Sequence, residues 1–284
     1  MPDKVNRTFV IAECCSSWRF GDDHLANAFR MIELAKECDA SAAKFQWTSD
    51  PVLMAQRRHG KREEFDILAY PFGWLEKLKA KCDEVGVEFM VTCFIAKDIP
   101  SINPLVKRFK VASAESGDRK FVEAHFQYDR QIIASAAFGS GPVAKNLGET
   151  NFIKTLHCVC SYPTPISELN LARLHLRNDF CMDGGPFGGE RVFDGLSDHT
   201  TSVLSGAVAV GAGATIIEKH IKLLATPGSN PDAPHSLAVD WTHHGEGNFL
   251  TYVANIREAE LAMGTGESVM QECEKAYEGR RVNA

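Results

Sequence analysis

Apolar and polar positions along this chain switch repeatedly between two periods. Residues 8–15 form a β-rich run, and residues 22–39 follow with Leu25, Ala28, Phe29, Ile32, Leu34 and Ala35 near helical spacing, which predicts a strand and then a helix. The alternation continues, with strands expected at 42–47, 88–94, 108–115, 131–137, 154–162, 191–197 and 215–222. Helices are expected at 72–85, 102–107, 119–128, 168–178 and 201–210, with 249–263 after the last strand; residues 142–151 are not assigned as a helix. Eight alternating units over residues 8–264 come to roughly 32 residues each, the size of βα units that close into a (β/α)8 TIM barrel. The expected fold class is therefore α/β, with a single barrel domain over residues 1–264 and a charged tail over 265–284. A doubly wound dinucleotide fold is disfavoured, because Cys14-Cys15-Ser16-Ser17-Trp18-Arg19 stands where that fold carries a G-x-G-x-x-G turn. The connection 48–70, rich in Arg, Lys and Glu, reads either as a mobile loop over one barrel end or as a solvated charged excursion.

Composition then narrows the function classes. With 31 Lys+Arg against 37 Asp+Glu over 284 residues, the net charge is −6, which lacks the basic excess of a nucleic-acid binder. No apolar run approaches the roughly 18 residues of a membrane span, and the first residues lack the apolar stretch of a signal peptide, so a soluble, cytoplasmic protein is expected. Nine cysteines, odd in number and scattered, match neither a disulfide framework nor a zinc-finger spacing. They are expected to be mostly buried thiols.

In a barrel, a polar side chain near the C-terminal end of a strand faces the mouth where chemistry is done. Such residues recur on every strand: Glu13, then Lys44 and Gln46, Thr92, Lys110 with Ser113 and Glu115, Ser135, His157 with Cys160 and Tyr162, Ser197 with Asp198 and His199, and Glu218 with Lys219 and His220. Strand alternation gives Glu218 and His220 a common face, as it does Lys44 and Gln46, and Ser197 and His199. Any one of these alone would be an ordinary solvated or ion-paired group. Together, two lysines, several hydroxyls and the small-residue turn Gly139-Ser140-Gly141 suit a phosphorylated anion. His199 and His220, on neighbouring strands, could bind a divalent cation with a carboxylate such as Glu13 or Glu218. His157 is expected to be a satisfied core histidine, and His24, His243 and His244 receive no role.

Several segments, in order along nearly the whole chain, resemble the N-acetylneuraminate (sialic acid) synthase family. They are Ile11-Ala12-Glu13, Ala43-Lys44-Phe45-Gln46, the run from Phe109 to Glu115, Leu156-His157-Cys158 with Tyr162-Pro163-Thr164-Pro165, Gly195-Leu196-Ser197-Asp198-His199-Thr200, Ile216-Ile217-Glu218-Lys219-His220, and Pro227-Gly228 through Leu237. The resemblance implies a (β/α)8 barrel that condenses phosphoenolpyruvate with the open-chain aldehyde of an N-acylated amino sugar such as N-acetylmannosamine. The products would be a nine-carbon 2-keto-3-deoxy acid and phosphate. It further implies that His199 and His220 hold a divalent metal, Mn2+ or Mg2+, which polarises the aldehyde. Lys44, Lys110, Ser113, Ser135 and Ser197 would cradle phosphoenolpyruvate, and Gln46, Thr92, Tyr162 and Asp232 would face the sugar. Glu13, Glu218 and His220 are the expected catalytic groups.

Several features depart from the family pattern, among them Ser135-Ala136-Ala137-Phe138 where the family carries a Ser-Thr-Gly-Met run on strand five. Residues 14–21 replace a polar loop after strand one, Val159-Cys160 stands where an Asn follows the strand-six Cys, and two residues are inserted around Ser229-Asn230. The resemblance does not extend to the family's C-terminal antifreeze-like domain, whose absence is an expectation here, so a separate antifreeze-like polypeptide is an expected candidate partner beside a homodimer through barrel helices. Two other readings stay open: a metal-dependent barrel enzyme acting on a different acceptor, such as another 3-deoxy acid synthase or a sugar isomerase, and a degenerate barrel that binds a sugar or phosphometabolite without turnover.

Overall fold

The computed structural model describes residues 7–137, 152–175, 193–240, 248–266 and 271–280. Eight parallel strands pair in sequence order, and the first closes onto the eighth. They are β1 (Phe9–Cys15), β2 (Ala42–Gln46), β3 (Glu88–Thr92), β4 (Phe109–Val111), β5 (Ile132–Ala136), β6 (Ile153–Cys158), β7 (Gly195–Asp198) and β8 (Ile216–Lys222). The helices are α1 (His24–Glu37), α2 (Pro51–Arg58), α3 (Phe72–Val85), α4 (Ile99–Ile102), α5 (Arg119–Glu123), α6 (Ser205–Gly211) and α7 (Phe249–Met263). The expected (β/α)8 barrel is the architecture found.

Strand alternation sorts the core into two zones. Ala12, Ala43, Phe45, Val91, Phe109, Ile132 and Ile217 face outward and pack with the helices in one large apolar cluster. Ile11, Ala42, Met90, Ile133, Leu156 and Ile216 point inward and form a separate apolar plug. Two residues further along five of the strands that build this plug come Glu13, Lys44, Thr92, Ser135 and Glu218, all buried. The period of two therefore stacks a polar layer directly on an apolar floor, at the C-terminal end of the barrel.

The helical layer is less regular than the sequence suggested. The expected helix 102–107 is displaced to α4 and a 3-10 turn at Asn103–Leu105, because Pro104 cannot donate in a continuing helix. The one expected at 119–128 stops as α5 at Glu123. In 168–178, the described part holds a 3-10 turn at Leu171–Leu174, after another at Ile166–Glu168, and its end lies outside the described residues, as do 142–151, Gly139-Ser140-Gly141, Arg191 and the His243-His244 pair. Strand four is only Phe109–Val111, so Ser113 and Glu115 sit on the turn beyond it, as Cys160 and Tyr162 sit beyond β6. A short ninth strand, β9 (Leu237–Ala238), adds onto β8.

The connection 48–70 is not an open loop. It carries α2, which starts on an Asp50 side chain accepting from the Leu53 N–H with Pro51 in the first turn, and stops at His59 with φ 52°. Arg58 then makes a bidentate pair with Glu115 at 2.7 and 2.8 Å, tying the helix to the turn after β4. Among the described residues, no helix is long and apolar enough to cross a membrane.

Candidate active site

A cavity of about 300 Å3 opens at the C-terminal mouth of the barrel, at the small end of the range for ligand pockets. Of the residues singled out from the sequence, Glu13, Lys44, Gln46, Lys110, Ser113, Ser135, Tyr162, Ser197, His199, Glu218, His220 and Asp232 all line it. Thr92 does not: it is fully buried behind Lys44, whose Nζ donates to its hydroxyl at 3.1 Å. The small inward-facing Thr92 thus supports a lysine rather than presenting itself to a ligand.

The floor of the cavity is a buried cluster of two lysines and two carboxylates. Pairing of β1 with β2 sets Glu13 opposite Lys44, and pairing of β7 with β8 sets Ser197 opposite Glu218. Lys44 bridges the two carboxylates: it is ion-paired with Glu13 and lies 3.5 Å from Glu218. Lys110 donates to Ser135 Oγ at 2.8 Å and lies 3.4 Å from Glu218, to which Ser197 also donates at 3.1 Å. All four charged groups are buried, so each titrates away from its solution value. Burial drives the Glu13 carboxyl up, Lys44 pulls it part of the way back and Glu218 pushes it up again, leaving it at about 7. Burial also acts upward on Glu218, but Lys110 and Lys44 more than reverse it and bring that carboxyl to about 2. The pair is thereby split into one group that holds a proton near neutrality and one that stays ionised. Lys110 is pushed below its ordinary range by burial, against the pull of Glu218.

The rim opposite is built of Lewis bases. His199 and His220 come together as expected from adjoining strands, with ring centroids 5.4 Å apart. The Val159 carbonyl can only accept, so His199 Nδ1, 3.0 Å away, carries the proton and Nε2 keeps its lone pair. Sequence reasoning missed His235, whose Nε2 lies 3.2 Å from His220 Nδ1. Burial lowers all three imidazoles, His235 to about 4, so they are neutral at pH 7. Asp232 completes the group, with Oδ1 at 3.8 Å from His220 and 3.6 Å from His235. Cys15, read from the sequence only as one buried thiol among many, also lines the cavity. Its Sγ, a His220 nitrogen and an Asp232 oxygen lie within 4.8 Å of one another. Neutral imidazoles, a thiol and a carboxylate form a donor set suited to a divalent metal ion.

His157 is the satisfied core histidine expected, with Nε2 donating to the Leu169 carbonyl at 2.8 Å. Cys14, Cys15, Cys38, Cys82, Cys93 and Cys158 are buried, Cys160 is half-buried and Cys273 is exposed. Asp198 and Lys219, within the two most distinctive sequence segments, face away from the cavity. They pair at 3.2 Å in full burial, and Asp198 also accepts from Ser205 and Tyr252. Their work is to lock β7 and β8 onto the helices, which holds His199 and His220 in place. Arg58, Phe94, Ala112 and Pro231 are further lining residues that strand-end reasoning could not find, since they come from loops and from α2.

A parallel barrel with two buried lysines, two buried carboxylates and a metal-competent rim at its C-terminal mouth defines a class: a TIM-barrel protein with a polar, charged cavity at the ends of its strands. Residues 31–268 match the NeuB family, and the chain belongs to it. It is 29% identical over 284 residues to a Methanocaldococcus jannaschii protein of uncharacterised activity, covering 96% of this chain and 77% of that one. It is 25% identical over 290 residues to the N,N'-diacetyllegionaminic acid synthase of Campylobacter jejuni, covering 92% and 79%. A sialic acid synthetase structure from Leptospira borgpetersenii shares the fold with a TM-score of 0.77 at 22% identity, covering 98% of this chain and 92% of that one.

Proposed function

We propose that this protein condenses phosphoenolpyruvate with the aldehyde of an N-acylated amino sugar, giving a nine-carbon 2-keto-3-deoxy acid of the sialic acid type and phosphate. The observation that carries this reading is the two-pole cavity: buried Lys44 and Lys110 with Ser135 and Ser197 at one pole, and a cluster of neutral imidazoles at the other. One pole suits a phosphate and a carboxylate, the other an electrophilic carbonyl, and both line the same cavity.

In this reading Lys110, Lys44, Ser113, Ser135 and Ser197 bind the phosphate and carboxylate of phosphoenolpyruvate and orient its C3 toward the rim. Gln46 and Tyr162 hold the sugar, and Asp232 stands beside the imidazoles of the rim. A divalent cation at His199 and His220, Mn2+ or Mg2+ by family resemblance, supplies Lewis-acid polarisation of the aldehyde when bound. As C3 bonds to the aldehyde carbon, C2 gains cationic character, and the ionised Glu218 carboxylate stabilises that charge. Water then adds to C2, and the C2–O bond to phosphate breaks, releasing the leaving group into its lysine and serine cradle. Thr92 acts indirectly, by holding Lys44.

The test is phosphate release from phosphoenolpyruvate with a divalent metal and a panel of aldoses. Turnover confined to N-acetylmannosamine-like sugars supports the proposal. Turnover with other aldoses would move the protein to another 3-deoxy acid synthase, and saturable binding of phosphoenolpyruvate without turnover would make it a binding barrel.

A further inference from the structure

Two of the segments that depart from the family pattern meet at the site. Ser16, in the loop after β1, donates from its backbone N–H to Asp232 Oδ2 at 2.9 Å, and its hydroxyl contacts the same oxygen. Asn230 donates to the Ser16 carbonyl at 3.0 Å and accepts from the Asp232 N–H at 3.0 Å. Thr226 donates to the Ser17 carbonyl at 2.9 Å. The loop after β1 is thus zipped onto the loop after β8. This zip occupies Asp232 Oδ2 with Ser16 and leaves Oδ1 turned to His220 and His235.

The same zip seats Cys15. Its register shifts against β2 between Glu13 and Cys15, and its φ of 41° lies in the left-handed region that costs a non-glycine residue about 1 kcal/mol or more. Two contacts hold it there: its N–H donates to Glu13 Oε1 at 2.7 Å, and its carbonyl accepts from Trp18 Nε1 at 2.9 Å. Trp18 is itself fully buried among Phe45, Tyr70 and Trp74, so the turn is anchored in the core. The outcome is a thiol buried in the mouth with its sulfur within 4.8 Å of both a His220 nitrogen and an Asp232 oxygen. Two ligands of one ion at about 2.0–2.3 Å lie at most about 4.6 Å apart, so small side-chain shifts bring all three onto a common ion.

We propose that Cys15 is a thiolate ligand of the metal at this site, together with His220 and Asp232, and that the site therefore selects a thiophilic ion such as Zn2+, Fe2+ or Co2+ over Mg2+. Sulfur ligation favours the softer, later divalent ions, whereas a hard oxygen-seeking ion gains little from it. On coordination the thiol gives up its proton to solvent and the sulfur lone pair forms the bond, so no oxidant or reductant is needed. His199, with its ring centroid 5.4 Å from that of His220, keeps the place the proposed function gives it as a ligand of the same ion. The inference deepens the proposed function, since it concerns the metal of that same cavity, but it is tested without turnover.

The experiment titrates metal-free full-length protein with Co2+ and records the electronic spectrum, then measures Zn2+ and Mg2+ affinities by competition. The expected result is a near-ultraviolet sulfur-to-cobalt charge-transfer band in the unaltered protein, absent in Cys15→Ser and retained in Cys158→Ser and Cys160→Ser. Zn2+ affinity should fall at least ~10-fold in Cys15→Ser, with Mg2+ affinity little changed. Circular dichroism checks that Cys15→Ser is folded; if it is not, Asp232→Asn, which keeps the thiol, should retain the band while weakening Zn2+ binding. Bound Co2+ with no such band in the unaltered protein, or a band that survives Cys15→Ser or follows Cys158 or Cys160, overturns the proposal. A protein with the Cys15 band but no phosphate release would retain the metal assignment and lose the functional one.

Discussion

Replacing Gly195 by Ala places one methyl group where the barrel has no room for it. Gly195 opens β7 and pairs with Ile216 at the start of β8. A Cβ there would lie 1.8 Å from the Ile216 carbonyl oxygen and 2.7 Å from its carbon. Ordinary C···O contact begins at about 3.3 Å, so the strands would have to part by about 1.5 Å. The neighbouring ladder bond, Thr215 N–H to Asp194 C=O, is 2.8 Å long and would not survive that separation. Losing it and the adjacent pairing in a dry barrel wall costs about 1–3 kcal/mol for each buried group left unpaired, so a loss of about 4 kcal/mol is expected. The same displacement pulls Ser197 and His199 away from Glu218 and His220, and a misplacement of ~1 Å costs roughly 100-fold in rate. Urea denaturation followed by circular dichroism reads the first effect and phosphate release at saturating metal reads the second. Gly195→Ala within about 1 kcal/mol of the parent, a shift ordinary for a surface substitution, would refute the claim that β7–β8 register sets the site.

Further expectations follow from the cavity. Lys110→Ala removes a charge-assisted contact worth about 1.5–3 kcal/mol, so the KM for phosphoenolpyruvate should rise roughly 10- to 150-fold while that for the sugar changes little; equal effects on both would contradict the cradle. His220→Ala should abolish metal-dependent turnover while leaving the far-ultraviolet dichroism intact, and chelator treatment of the parent should do the same reversibly. Cys160 is held at about 6 by hydrogen bonding from Cys158, against the upward push of burial, with Ser113 and Tyr162 also favouring the thiolate. Iodoacetamide labelling mapped by peptide mass should therefore modify Cys160 already near pH 7, with the rate falling as pH drops through about 6, while Cys38 and Cys82, raised to about 12 by burial, stay unlabelled in the folded protein.

The barrel was legible because a period of two in the strands and a period near 3.6 between them are imposed by backbone geometry alone. The same alternation sufficed to gather Glu13, Lys44, Ser135 and Glu218 at one end, since a residue two places beyond an inward apolar one must also point inward, and strand-end position added Lys110 and Ser197. It misjudged Thr92, because facing inward is not the same as reaching the cavity when a longer side chain lies across it. In the helical layer it placed α3 and α7 with the bounds found, but not the stretches after β3 and β4, where Pro104 and local capping rather than apolar spacing set the ends. Cys15, Arg58 and His235 were beyond its reach for a different reason. Each stands on a turn, a loop or a short helix whose direction depends on partners outside its own element, as Arg58 on Glu115 and His235 on His220, or on a left-handed backbone turn held by Glu13 and Trp18. The sequence alone determined the barrel and its polar floor, through repeating local geometry. Only the tertiary structure decided which bases meet at the rim, because contacts such as Ser16 with Asp232 join chain segments 216 positions apart.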